Sequence, residues 1–169
     1  MGFDYSTFIN KLNELDDDAD CALTREQFTQ LLHEMPISKK ENFIETCYMG
    51  LKTKKKTVPF QSIRNLYESS QPTLLNKNML LILFRGVSKK KELFLDKESY
   101  LKIATLALED FNKDLYEQKF AELAETDTQK ISHKNVALSV FGIRVGSKDD
   151  PFTESIQVRS PHSACCLLI

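Results

Sequence analysis

Three aspartates stand at alternate positions near the start of the chain, Asp16, Asp18 and Asp20, followed by Ala22, Thr24 and Gln27. In a tight loop a spacing of two turns alternate side chains toward one point. Three carboxylates so placed offer hard oxygen ligands to a single Ca2+ ion. A second chemistry is spelled at the other end, where the chain runs Cys165-Cys166-Leu167-Leu168-Ile169. The last four residues fit a prenylation signal, with Cys166 as the thioether site and Ile169 favouring geranylgeranyl over farnesyl. Cys165 beside it is placed to take a palmitoyl chain, the second lipid that stable anchoring requires. The bland alternative is an unmodified apolar tip.

The elements that must position the aspartates show as a repeat. Leu23, Val58, Leu95 and Ile131 each precede a helix-opening residue, at intervals of 35, 37 and 36 residues. Before them lie Leu12 and Leu15, Cys47 and Gly50, Phe84 and Val87, and Phe120 and Leu123. After them come Phe28, Leu31 and Leu32; Ile63, Leu66 and Tyr67; Tyr100, Ile103 and Ala104; and Val136, Ser139 and Val140. These i, i+3, i+4 stripes line one face of a helix, so each unit reads helix, loop, helix.

Over residues 3 to 143 this pattern resembles the EF-hand, whose twelve-residue loop puts its eighth residue into a short bridge with a partner loop. The resemblance implies an all-α fold of four helix-loop-helix units paired into two lobes, residues 1–69 and 74–143, with a flexible tail over 144–169. It also implies that the first loop is Asp16 to Gln27, with Asp16, Asp18 and Asp20 at its first, third and fifth positions, the Ala22 carbonyl as a further donor and Thr24 and Gln27 as marginal ones. Two residues depart from the family pattern. Cys21 stands at the sixth position, where glycine usually supplies a positive φ at no cost. Gln27 stands at the twelfth, where a glutamate chelates with both oxygens. Thr24-Arg25-Glu26-Gln27 also reads as a capping box opening a helix, with the aspartates as an acidic turn before it.

The other loops lack the ligands. The second, Leu51 to Ser62, carries Lys52, Lys54, Lys55 and Lys56 where a cation would sit. In the third, Ser88 to Ser99, Lys90 takes the third position and leaves Glu92 and Asp96 isolated. The fourth, Ala124 to Asn135, has Thr126, Thr128 and Ser132 at coordinating positions and no carboxylate among them. Hydroxyls alone do not dehydrate a calcium ion. The lysines of the second and third loops read either as solvated surface or as a basic patch drawn to anionic lipid.

At 169 residues with a net charge of −1, eleven Phe and no Trp, the chain fits a helical protein with no bias toward nucleic acid. Ser38 to Glu41 reads as a capping box, Asp96 and Ser132 as N-caps, and Gly142 as a helix stop. Glu68 to Thr73 reads as the linker between lobes. Met1-Gly2 with Ser6 formally matches N-myristoylation, but Phe3 and Asp4 beside the glycine are poorly suited to it. No signal peptide or membrane-spanning run is present, which predicts a cytoplasmic protein held peripherally at the cytosolic face of a membrane. His33, His133 and His162 have no ligand or nucleophile partner at a recognisable spacing, so no enzyme is expected. Two classes of function remain. One is a calmodulin-like regulator with a single weak calcium site that clasps an amphipathic helix; the other is a calcium-independent adaptor resembling a light chain. Either would line an open lobe with Phe28, Leu31, Leu32, Ile63 and Leu66, residues that equally suit an internal core.

Overall fold

The computed structural model describes residues 5–35, 37, 40–70, 76–88, 90–146 and 148–156. In chain order these form α1 (Tyr5–Leu15), β1 (Ala22–Leu23), α2 (Arg25–Glu34), α3 (Glu41–Leu51), β2 (Val58–Pro59), α4 (Phe60–Ser69), α5 (Lys77–Val87), β3 (Phe94–Leu95), α6 (Lys97–Ala107), α7 (Lys113–Leu123), β4 (Ile131–Ser132) and α8 (His133–Phe141). The described chain is therefore mostly helical, with two small antiparallel sheets.

The strands pair in the register that the repeat predicts. Leu23 lies opposite Val58 in the β1–β2 sheet and Leu95 opposite Ile131 in the β3–β4 sheet. All four side chains are buried, none more than 3% exposed. One backbone bond extends each sheet, from the Phe60 N–H to the Cys21 carbonyl and from the His133 N–H to the Leu93 carbonyl. Because each strand is only two residues long, burial of the central side chain rather than the ladder itself supplies most of the stability.

Helix ends follow local chemistry. Asp96 and Ser132 cap α6 and α8 by accepting from the Ser99 and Asn135 N–H groups. Gly142 closes α8 at φ 65°, with the Gly142 and Ile143 N–H groups bonded to the Leu138 and Ala137 carbonyls. At α3 the reading shifts by two residues. The helix opens after Lys40, whose side chain makes no capping bond, and Ser38 falls outside the described residues. Glu68 and Ser69, read as linker, complete α4. Asn76 then caps α5 by accepting from the Met79 N–H.

The two halves share one apolar core. Its centre is α5, where Met79, Leu80, Leu81, Ile82, Leu83, Phe84 and Val87 are all buried. A helix apolar on every side needs neighbours on every side, and α5 meets α3, α4, α6 and α8. Its most extensive contact is with α3, across a seam made by two glycines. A Cβ on Gly50 would lie 2.1 Å from the Ile82 carbonyl oxygen, and one on Gly86 would lie 2.1 Å from that of Thr46. No residue with a side chain fits either position without moving a backbone.

The segment expected to be a flexible tail from Arg144 is docked over residues 148–156. Pro151 is buried there, and Phe152 and Ile156 are half-buried against the shared core. Hydropathy periodicity missed it because the contacts are made by isolated apolar residues and by main-chain carbonyls, neither of which leaves a periodic trace.

Candidate functional site

The first loop gathers its aspartates as the spacing predicts. One carboxylate oxygen from each of Asp16, Asp18 and Asp20 lies within 4.8 Å of the others, so the cluster can hold a metal ion. Local hydrogen bonds shape it. Asp16 accepts from the Asp20 and Cys21 N–H groups through its two oxygens, at 3.2 and 3.1 Å. Asp20 accepts from the Ala22 N–H at 2.9 Å. Cys21 has φ 58° and Ala19 φ 55°, so two residues with side chains occupy left-handed backbone in one loop. Each such residue costs on the order of 1 kcal/mol.

Thr24 and Gln27 are turned to each other. The Gln27 Oε1 accepts from the Thr24 N–H at 2.9 Å, while Thr24 Oγ1 accepts from the Gln27 N–H at 3.3 Å. This is a capping box opening α2, and it engages the only oxygen that Gln27 could give a cation. The Gln27 amide nitrogen donates to Asp17 at 3.3 Å, which ties the end of the loop to its beginning. Ala22 lies in β1 opposite Pro59. The structure thus brings three of the expected donors together and commits two others to the helix start.

The pairing of β1 with β2 sets the aspartate loop beside the lysine loop. Lys54, Lys55 and Lys56 are exposed, and Lys52 lies over the Tyr48 ring with its Nζ 3.1 Å from the Met49 sulfur. Positive charge in the neighbouring loop opposes binding of a second cation. The left-handed sixth position recurs at Lys56, φ 63°, and at Gln129, φ 50°. In the third loop the left-handed residue is Lys91, at the fourth position. Between the third and fourth loops, Lys130 holds the Glu92 carboxylate at 2.6 Å and below its ordinary pKa.

Phe28, Leu31, Leu32, Ile63 and Leu66 are each no more than 1% exposed, and form core rather than an open groove. Cys47 is also buried, which pushes its thiol pKa far up and keeps it protonated. His33 reaches Glu41 at 2.8 Å. His133, read as a lone histidine, is instead enclosed under the docked segment, and both of its ring nitrogens are buried without a hydrogen-bond partner. The equivalent residues of the other units, Arg25, Phe60 and Lys97, are exposed or half-buried, so the repeat carried no signal for its burial. His162, Cys165, Cys166 and the Met1-Gly2 pair lie outside the described residues. Among the described residues, no helix is long and apolar enough to cross a membrane.

No protein-family model matches the chain, and comparison with curated proteins and with solved structures yields no match either.

Proposed function

We propose that the protein is a calmodulin-like EF-hand regulatory protein. Its first loop binds Ca2+ weakly through Asp16, Asp18 and Asp20, and a prenyl group on Cys166 tethers it to the cytosolic face of a membrane. Its target is a helical segment of another protein. The observation that carries this reading is the loop pairing, Leu23 against Val58 and Leu95 against Ile131, together with a three-carboxylate cluster in one loop. Affinity is low because Gln27 brings no charge and its oxygen is engaged by the Thr24 N–H.

One observation favours the calcium-independent adaptor as a second reading. The apolar faces that a calcium switch would uncover are filled by the protein itself, with α5 packed into the seam with α3. Uncovering them requires separating two helices whose backbones touch.

Calorimetric Ca2+ titration of the full chain and two variants separates the readings. Asp16→Ala should abolish binding heat and Gln27→Glu should strengthen binding markedly by restoring a charged ligand. No heat in any of the three proteins would leave the adaptor reading standing. For the anchor, Cys166→Ser should release the protein to the cytosol, and Cys165→Ser should release it partly. Retention of the Cys166→Ser protein on membranes would exclude prenylation as the tether.

A further inference from the structure

Residues 151–156 lie against α4, α5 and α8. Pro151 is buried, Phe152, Glu154 and Ile156 are half-buried, and Thr153 and Ser155 are exposed. The segment is a turn, with the Thr153 and Glu154 N–H groups bonded to the Asp150 carbonyl, and it presents Phe152 and Glu154 to the helices from that turn. The main chain is read as well. The Arg85 guanidinium donates from Nε to the Pro151 carbonyl at 2.5 Å and from Nη2 to the Glu154 carbonyl. Asn65 Nδ2 donates to the Ile156 carbonyl at 3.2 Å. Two side-chain contacts add selectivity: Lys77 pairs with the Glu154 carboxylate at 2.8 Å, and the Phe152 ring stands edge-on to Phe84 at 6.0 Å.

These four receptor residues come from positions 65 to 85, on α4 and α5, far from the segment in sequence. The segment itself contains no helix or strand; its internal bonds are short turns from Thr153 and Glu154 back to the Asp150 carbonyl. A short piece held by a few polar contacts belongs to the least stable, first-opening part of a fold. Arg85 is half-buried beneath it and regains water when it lifts, which offsets part of the loss.

We propose that Asn65, Lys77, Phe84 and Arg85 form a peptide-recognition groove whose resident ligand is the chain's own residues 151–156. The outside partner that fits it is a turn-forming segment of another protein with an aromatic residue and, two residues later, a carboxylate, matching Phe152 and Glu154. This surface lies apart from the first loop and depends on neither calcium nor lipid, so it goes beyond the function proposed above. A fork is required at Arg85, because only guanidinium reaches two carbonyls at once in a fixed plane.

The test uses the full chain and a fluorescent peptide of residues 148–156. In the Phe152→Ala/Glu154→Ala variant the resident segment should lift while the groove stays intact. Hydrogen exchange across 148–156 should then rise about tenfold with the helices unchanged. The peptide should bind that variant about tenfold more tightly than the wild type, where the tethered copy keeps most molecules closed. Adding Arg85→Lys should abolish peptide binding, because the charge stays but the fork is gone. The proposal is overturned if the wild type and the double variant bind the peptide equally, or if residues 148–156 of the wild type exchange as fast as those of the double variant.

Discussion

Between α3 and α5 the backbones approach so closely that one methyl group on Gly50 or Gly86 has no room, whereas the four loops keep their pairing over first residues as different as Asp16, Leu51, Ser88 and Ala124. The seam depends on the absence of a side chain, and the loops depend on one buried side chain each. This difference explains how charge can diverge so far between loops. A loop tolerates aspartates or lysines because its exposed positions face water, while its eighth residue faces the core. The seam has no solvent side to which an added atom could move.

The harshest way to break that contrast is at the seam. The Gly50→Ala/Gly86→Ala chain should lose about 5 kcal/mol, from two overpacking contacts of the order of 2–3 kcal/mol each. Denaturant unfolding followed by fluorescence and circular dichroism would read it, and a loss below about 1 kcal/mol would mean that the helices separate easily. Next comes the buried residue of a loop. Leu23→Ala should cost about 3 kcal/mol through lost burial and a cavity beneath β1, whereas Asp18→Ala, earlier in the same loop, should change stability by less than about 0.5 kcal/mol. Equal effects of the two would abolish the distinction between buried and exposed loop positions.

His133 sharpens the comparison in the opposite direction. Both of its ring nitrogens are buried and unpartnered, so His133→Leu should raise stability by about 1–2 kcal/mol, measured as an increase in Tm. At the loop apices, Lys56→Gly and Gln129→Gly should each raise stability by about 0.5 kcal/mol. Relief of left-handed strain is then partly offset by the freer unfolded chain. Replacement by alanine should give no such gain.

The smallest expected effect is the pH dependence of the bond between Lys130 and Glu92. The Glu92 carboxyl is held below its ordinary pKa chiefly by its hydrogen bond from Lys130, so its contribution is present above the ordinary carboxylate range. It is lost as pH falls through the lower folded value. Lys130 is raised by the same bond, so its share is present below the ordinary lysine range and is lost as pH rises through its folded value. The Tm difference between wild type and Lys130→Ala should therefore be small, flat through neutral pH, and shrink as pH falls below the ordinary carboxylate range. A difference that did not shrink on acidification would assign it to packing of the lysine stem.

Much of the architecture was legible in the residues. The spacing of Leu23, Val58, Leu95 and Ile131 led to the strand register because a buried side chain between two amphipathic stripes leaves a periodic mark. Asp96, Ser132 and Gly142 were legible as caps, since capping depends on residues within four positions of each other. The aspartate cluster was legible on the same ground. Gly50 was placed on the apolar stripe of α3, yet what it touches was not, because a glycine carries no label for the helix that will lie against it.

Local order is what the sequence by itself determined: helices, caps, left-handed turns and the residues that lie on one face, all set by interactions along a few residues of chain. Only the tertiary structure decided that Phe28, Leu31, Leu32, Ile63 and Leu66 are closed core, that α5 unites the two halves, and that the segment after α8 folds back onto Arg85. Those outcomes turn on which surfaces meet across gaps of up to 91 residues. An apolar stripe or a free carbonyl is equally satisfied by any partner of the right shape, so only the packing of the whole chain selects one.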